Sequence, residues 1–371
     1  MMTTPQGRNV VIDIARGIAM LLVMYAHSIE VFQGPQAPAA LATFDQWRAI
    51  YSFHMPLFFA ISGLVFRDRG LRHVLLNSLA LLFVAYLVHA GMWLAAALLS
   101  DGPVHAGALL RPMLLLAGFQ SVVLWFLASL AVVQLVFFLL LRWSGYGRYA
   151  LLAAVLAAFL WAQHRQTIFF QFSTLLPGLA FFALGHWMAR TQAWRREIYR
   201  HWIVPVLALA AAVALAPLNG GCTWDLWAEC PNRRFGFGVL FAAGQYGSPW
   251  LFVPTALLGC FSVLWFSDVL ARMPGGFKVM LAAVGRRTLD LVVINGVVWR
   301  FVHPVVTRKF GDSAWAVAVG IACAMVVAQL LLEPLVRPAM MAIRRAAEML
   351  AAWICRCLIW LHGSLAIGWR R

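Results

Sequence analysis

Apolar runs of about 17 to 25 residues recur along the sequence, and a helix of that length crosses a hydrocarbon core of about 30 Å. The composition agrees with this pattern, since 63% of the 371 residues are hydrophobic and 11% are charged. A soluble domain carries roughly a quarter of its residues as charged groups. These features exclude a water-soluble globule and predict a polytopic integral membrane protein.

The runs indicate helices rather than the strands of a membrane β-barrel. A barrel would show short segments of alternating apolar and polar residues, whereas Leu151 to Leu160 is apolar on all sides and rich in helix formers. The predicted fold class is therefore an all-α bundle of about ten transmembrane helices. Their approximate bounds are 10–32, 48–66, 74–99, 122–141, 149–163, 172–189, 202–217, 250–270, 288–303 and 314–333.

Two further apolar stretches do not fit a simple span. Residues 346–369 carry Arg356 near the middle, so they predict an eleventh span or, preferably, a helix lying in the membrane interface. Residues 236–248 are too short and too glycine-rich to cross, and they predict a re-entrant or surface segment. The chain is accordingly divided into a membrane domain, residues 1–345, and a C-terminal membrane-associated segment, residues 346–371.

The charge distribution predicts the orientation. Lys and Arg number 29 against 13 Asp and Glu, and in a soluble protein such an excess would suggest nucleic acid. Here the basic residues lie in short turns, which indicates topology signals and contacts to anionic lipid, with no nucleic-acid partner. Seventeen fall in the turns on the N-terminal side and eight on the other side. Both termini are therefore predicted to be cytoplasmic.

The start of the chain has a second interpretation. Arg8, the apolar residues 17–26 and the small residues that follow resemble a secretory signal with a cleavage site. Asp13 and Arg16 interrupt the apolar part, and the stretch after it is too long for an ordinary cleavage region. We therefore prefer a transmembrane helix that stays in the protein.

A polar loop at residues 219–238 is predicted to face the outside. Its aromatic and acidic residues would suit a sugar, but a loop tethered at the interface would look the same. Its two cysteines would pair if the loop faces an oxidising compartment. The residues concerned are Trp224, Trp227, Asp225, Glu229, Cys222 and Cys230.

The first predicted span carries four ionisable residues, Asp13, Arg16, His27 and Glu30. At about 100° per residue, Arg16 and His27 point within about 20° of each other, and all four residues share a stripe about 100° wide. Such a stripe cannot face lipid. Arg16 lies about 16 Å from His27 along the helix axis, so this helix is predicted to line a polar path through most of the bilayer.

These four residues suggest chemistry more than packing. A structural alternative is an Asp13–Arg16 ion pair that holds helices together, with His27 merely hydrogen-bonded and Glu30 solvated. Each charge at depth costs at least about 2.5 kcal/mol, so charges without a function are rare there. A histidine titrates near neutral pH and can accept a proton from a hydroxyl nucleophile. An arginine suits a phosphate or a developing oxyanion.

The second predicted span brings another histidine, His54, close to the first one. Pro56 is expected to kink this helix, and the pair Ser62 and Gly63 allows a neighbouring backbone to approach closely. Because only a short loop joins the spans, His54 can face His27. Two facing histidines would also fit a haem, but nothing else in the sequence favours haem, and no metal site is predicted.

Three phrases in order resemble one known family. IDIARGIAMLLVMYAHS, with ten residues between Arg16 and His27, is followed by FHMPLFFAISGLVF and by LWFL at Leu124 to Leu127. The chain is similar to the membrane acyltransferase-3 family, in its fucose-4-O-acetylase-like branch, over about residues 8–345. This resemblance implies transfer of acetyl or other acyl groups from a cytoplasmic thioester to sugar hydroxyls of surface glycans across the membrane.

By position, the family's paired arginine and histidine are Arg16 and His27, its preceding acidic residue is Asp13, and its FHMP histidine is His54. The chain departs from the pattern near the C-terminal end, where many relatives have a histidine and this chain has Asn295. If that histidine binds or deprotonates substrate in relatives, its role is altered here.

Further candidate residues would bind the substrates. Arg286 and Arg287, at the predicted cytoplasmic mouth, could hold the phosphates of coenzyme A, although two arginines at a span boundary also serve as topology signals. Trp125 in the LWFL phrase could face the substrate or anchor the helix at the interface.

The resemblance thus implies a bacterial inner-membrane O-acetyltransferase that uses acetyl-CoA and acts on an exported or cell-surface polysaccharide or its lipid-linked precursor. Arg16 would steady the donor, and His27, oriented by Glu30 or Asp13, would take the hydroxyl proton. The alternatives are a proton-coupled transporter that uses the same stripe as a relay, and a structural subunit of an export complex.

Overall fold

The structure, a computed structural model, describes residues 9–33, 40–99, 105–120, 122–165, 167–191, 202–219 and 238–368. In these ranges the chain is helical, with no strand beyond an isolated bridge between Leu240 and Gln245. The helices are α1 Val10–Ile29, α2 Ala40–Tyr51, α3 His54–Val65, α4 Leu71–Leu99, α5 Ala106–Leu115, α6 Trp125–Arg142, α7 Gly145–Arg165, α8 Phe172–Thr191, α9 Ile203–Leu215, α10 Pro249–Arg272, α11 Gly276–Arg286, α12 Thr288–Val297, α13 His303–Phe310 and α14 Trp315–Gly368.

The predicted all-α membrane fold is confirmed over these ranges. Nine segments of the described chain are long and apolar enough to cross a membrane. A tenth predicted span coincides with the shorter apolar helix Ile203–Leu218. Cys222 and Cys230, together with nearly all of the polar loop around them, lie outside the described residues.

The second predicted span consists of two helices, because the helical conformation is interrupted at Ser52 and Phe53 between α2 and α3. Pro56 is the third residue of α3, where its missing N–H interrupts no hydrogen bond within the helix. The kink therefore lies just before the proline. It leaves His54 as the first residue of α3.

Glycines let two pairs of helices touch backbone to backbone. A Cβ atom on Gly63 would lie 1.9 Å from the Phe182 carbonyl oxygen, and one on Gly185 would lie 1.9 Å from that of Ala60, so α3 and α8 cross at these two residues. This confirms the close approach predicted at Gly63. In the same way, a Cβ on Gly285 of α11 would lie 1.7 Å from the Asp13 carbonyl oxygen of α1.

The glycine-rich segment, described from residue 238, is a buried turn inside the bundle rather than a surface loop. Phe241 and Tyr246 are 1% and 2% exposed. The Tyr246 hydroxyl donates to the Ser173 carbonyl at 2.8 Å, and the Gln163 side-chain amide donates to the Gly244 carbonyl at 3.0 Å. Of the two predicted alternatives, this burial supports a re-entrant segment.

The last helix, α14, runs without a break through Pro334 and Pro338. The stretch predicted as a separate eleventh span or interfacial helix therefore belongs, up to residue 368, to the same helix as the tenth predicted span. Polar pairs hold α14 against α12 and the residue before it. These are Asn295 to Gln329 at 3.0 Å, Arg287 to Glu333 at 2.5 Å and Asp290 to Arg344.

Candidate functional site

The ionisable stripe of α1 faces the protein interior. Asp13 and His27 are 7% and 9% exposed, and the other two residues line cavities. Arg16 lines one cavity, whereas His27 and Glu30 line another. The stripe thus connects two separate spaces, and its two ends have different surroundings.

His27 and Glu30 form a hydrogen-bonded pair. His27 Nδ1 lies 3.3 Å from Glu30 Oε1 and 3.1 Å from the Tyr51 hydroxyl. With the proton on Nδ1, the imidazole donates towards this carboxylate and hydroxyl. Nε2, on the opposite side of the ring, is then the atom that can accept a proton.

Glu30 is held by donors from two other parts of the fold. Its Oε1 accepts hydrogen bonds from the Trp47 indole at 2.9 Å and the Tyr51 hydroxyl at 2.5 Å, and its Oε2 accepts from the Trp299 indole at 3.1 Å. Trp47 and Tyr51 are one turn apart on α2. Trp299 lies in a π-helical turn, Val298–Val302, between α12 and α13. With both oxygens engaged, Glu30 is suited to orienting His27 rather than to attacking a substrate.

His54 lies beside this pair at the start of α3. Its Nδ1 lies 2.9 Å from the Ile50 carbonyl oxygen, and its ring meets the Tyr51 ring edge-on at 4.6 Å between centroids. His54 also lines the same cavity as His27. The predicted facing of the two histidines therefore holds, with Tyr51 in contact with both rings.

The cavity around His27, here called the histidine cavity, has a volume of about 290 Å³. Its polar wall consists of His27, Glu30, Tyr51, His54 and the Trp299 indole, and the rest is largely apolar. Trp125 also lines the cavity and stacks on Phe241 of the buried turn, with 5.8 Å between centroids and 20° between planes. The apolar lining includes Phe58, Val123, Phe126, Leu240, Phe241 and Val292.

The second space, here called the arginine cavity, is larger, at about 560 Å³. Four arginines line it: Arg16, Arg67, Arg69 and Arg344. Ser62, Asn77 and Gln134 add hydrogen-bonding groups, and Glu348 places one carboxylate at the wall. Such a lining suits an anion that carries several phosphates.

Arg67 and Arg69 lie on the linker between α3 and α4, which Asp68 fastens to the bundle. The Asp68 carboxylate accepts the Gly70 backbone N–H at 3.1 Å and pairs with Arg142 of α6 at 3.1 Å. The hydrogen bond from the Gly70 backbone, and to a lesser extent the contact with Arg142, hold the pKa of Asp68 below its usual range. The carboxylate therefore stays charged, and the linker keeps its two arginines at the cavity.

Several predicted residues lie away from both cavities. Asp13 Oδ2 is 3.9 Å from Arg286 Nη1, and Arg287 pairs with the buried Glu333. Asn295 is 1% exposed and hydrogen-bonded to Gln329. None of these residues lines either of the two cavities in the described part of the chain.

Sequence reasoning missed the partners of both ends of the stripe. Trp47 and Tyr51 are not among the predicted site residues, although their spacing of one helical turn just before the FHMP phrase indicates that they share one face of a helix. The linker arginines Arg67 and Arg69 look, from the sequence, like topology signals only. Nothing local to Trp299 or Arg344 indicates a site, because each reaches it from a distant helix.

Fold and site together define a polytopic helical membrane protein that carries a histidine–carboxylate pair and an arginine-lined cavity along one helix. The chain belongs to the acyltransferase-3 family, since the family model described as an acyltransferase domain matches residues 9–333. This confirms the family and the prediction of a membrane acyltransferase at that general level. Comparison with curated proteins and with solved structures finds no match.

Proposed function

We propose that this protein is an O-acetyltransferase of the bacterial inner membrane, in the fucose-4-O-acetylase-like branch of its family. It takes acetyl from cytoplasmic acetyl-CoA and delivers it to a sugar hydroxyl of an exported or cell-surface polysaccharide, or of its lipid-linked precursor. The observation that carries the proposal is the His27–Glu30 pair in a cavity about 16 Å along α1 from Arg16 and its cationic neighbours.

The arginine cavity would hold the phosphates of the donor. Arg16, Arg67, Arg69 and Arg344 converge on it from α1, the α3–α4 linker and α14, and the planar guanidinium fork matches phosphate oxygens. This placement supports a donor role for Arg16, together with arginines other than Arg286 and Arg287. A donor held there would lie on the face that the charge distribution predicts to be cytoplasmic, where both termini are also predicted to lie.

The histidine cavity would hold the reacting groups. The acceptor hydroxyl oxygen attacks the thioester carbonyl carbon while His27 Nε2 takes the hydroxyl proton. The C–S bond then breaks, and the departing thiolate takes that proton to become the coenzyme thiol. Glu30 orients the imidazole and stabilises its protonated form. Direct transfer of this kind needs no second nucleophile, and a transient acetyl-His27 is its covalent variant.

Removal of the protein tests the function as a whole. We expect O-acetyl groups on surface or secreted polysaccharide, released by mild base and quantified, to be lost without the gene and restored by the wild-type chain. His27→Ala, present at the wild-type level in the membrane, should restore less than about one hundredth of the activity, because a general base contributes at least that factor. Full acetylation with His27→Ala would contradict the mechanism. Solute uptake into proteoliposomes without any acyl donor would favour a transporter.

The arginine cavity can be tested by donor binding. Arg16→Lys keeps the charge but loses the planar fork, and Arg69→Gln removes one charge from the linker. Both should raise the KM for acetyl-CoA about tenfold or more, since a charged hydrogen bond contributes about 1.5–3 kcal/mol. Arg148→Gln, an exposed arginine that bonds only to the Trp143 carbonyl among the described contacts, is the matched control. An unchanged KM in both cavity variants would contradict the donor site.

A further inference from the structure

Four helices, α1, α3, α6 and α12, each carry residues that line one cavity and residues that line the other. On α3, Phe58 lines the histidine cavity and Ser62, four residues later, lines the arginine cavity. On α6 the corresponding residues are Phe126 and Leu130, again four apart. Four residues rise about 6 Å along a helix. About one helical turn of protein therefore separates the spaces, and within the described chain no residue lines both.

On α1 the separation is longer, seven residues from Arg16 to Val23, and Met20 lies within it. Arg16, Met20, Val23 and His27 follow the spacing of a single helix face, with Arg16 lining one cavity and Val23 and His27 the other. Met20 is completely buried. It packs in the same core cluster as Val23 and Phe58 from one cavity and as Leu130 from the other. Its position on α1 therefore lies between the α1 residues that line the two cavities, and its side chain is closed off from solvent.

We propose that Met20 is a specificity-determining residue, a partition that decides which acyl groups reach His27. The inference rests on the proposed function, in which the phosphates stay in the arginine cavity and the thioester must pass the Met20 position. Methionine is unbranched, has three rotatable bonds and adapts its shape to neighbours. Its side chain can move aside for the thin thioester arm of the donor, and its volume limits the width of the acyl group behind it.

The partition is tested by exchanging the donor. Wild-type protein, Met20→Ala, Met20→Leu and Met20→Phe are compared with acetyl-CoA and with the wider isobutyryl-CoA. Met20→Ala should raise the isobutyryl-to-acetyl ratio of kcat/KM about tenfold or more, the range of one to two methylenes in an apolar site. Met20→Leu, of similar volume, should stay near wild type. An unchanged ratio in Met20→Ala would overturn the proposal.

Met20→Phe tests the opposite change, an increase in side-chain volume. The larger ring should lower acetyl transfer at least about tenfold, while competition by adenosine 3′,5′-bisphosphate, which carries no thioester arm, stays at the wild-type inhibition constant. Transfer at the wild-type rate by Met20→Phe would overturn the partition. A large rise in the inhibition constant of the bisphosphate would also overturn the partition, because the substitution would then act on the arginine cavity.

A labelling experiment separates this inference from the acyltransferase proposal. Val23→Cys places a thiol in the histidine cavity of a chain whose native cysteines are replaced by serine, and a membrane-impermeant methanethiosulfonate is added on the Arg16 face. Labelling should be slow with Met20 and at least about tenfold faster with Met20→Ala. Equal rates would overturn the partition. Faster labelling in a protein that never acylates a glycan would uphold the partition and overturn the proposed function.

Discussion

At the scale of single residues, the site distinguishes two carboxylates that the sequence leaves equivalent. Asp13 and Glu30 lie on one stripe of α1, yet only Glu30 reaches His27, at 3.3 Å. Glu30 lies 17 positions after Asp13, about 26 Å along the axis. Asp13 packs at the other end, where α11 crosses α1 and brings Arg286 close. In the proposed mechanism, Glu30 is therefore the carboxylate that orients His27.

We expect Glu30→Gln to lower kcat about tenfold to a hundredfold with a smaller change in KM. The amide removes the negative charge that faces the imidazole, and hydrogen bonds to charged groups contribute about 1.5–3 kcal/mol. Steady-state acetyl transfer to the isolated glycan measures both constants. Asp45→Asn is the control, because Asp45 is half exposed and pairs only with Arg48 one turn along α2 in the described contacts. Equal kcat in Glu30→Gln and wild type would remove Glu30 from the mechanism.

At the scale of helices, the site depends on close crossings that only glycine permits. The α3–α8 crossing at Gly63 and Gly185 fixes the height of α3 in the bundle. His54 is the first residue of that helix, and the linker that follows it carries Arg67 and Arg69. A shift of α3 against α8 would therefore disturb both cavities together.

We expect Gly185→Ala to destabilise the protein by about 1–3 kcal/mol, the usual result of forcing extra atoms into a packed interior. Its Cβ would lie 1.9 Å from the Ala60 carbonyl oxygen, so the backbone of α3 has to move. Thermal unfolding in detergent measures the change, together with acetyl transfer. Gly91→Ala on α4 is matched to it, since a Cβ there has nothing within 4 Å. Equal melting temperatures for the two variants would contradict a tight crossing.

At the scale of the whole molecule, the proposed function divides the reaction between cavities at two ends of one helix. The arginine cavity receives basic side chains from α1, the α3–α4 linker and α14, whereas the histidine cavity is mostly apolar around its polar wall. Under that proposal, a charged nucleotide and a transferred acyl group would have separate surroundings. This arrangement suits transfer of the acyl group across the membrane without passage of the donor.

We expect transfer to require donor and acceptor on opposite faces. Inside-out vesicles loaded with glycan acceptor should acetylate it when acetyl-CoA is added outside, because the arginine cavity then faces the added donor. Right-side-out vesicles should need acetyl-CoA inside and acceptor outside. For each type of vesicle, the rate of acetyl transfer is divided by the rate with donor and acceptor exchanged between the two faces, and this ratio measures the sidedness. Equal transfer with both substrates on one face would show that the cavities do not act in series across the bilayer.

The sequence by itself determined the membrane class, most of the long helices and the inward stripe of α1, but not the short helices α5 and α11. These follow from local periodicity, because a chain in lipid must satisfy its backbone hydrogen bonds within each helix. The helix break before Pro56 and the close approach of a neighbouring backbone at Gly63 likewise follow from residues adjacent in the sequence.

Only the tertiary structure decided what stands beside the stripe. Trp299 reaches Glu30 across 269 residues of sequence, and Arg67, Arg69 and Arg344 join Arg16 from a linker and from the last helix. Arg286 and Arg287 point instead to Asp13 and Glu333. Periodicity fixes which way a side chain leaves its own helix, but its partners depend on how other helices cross, and that depends on packing along the whole chain.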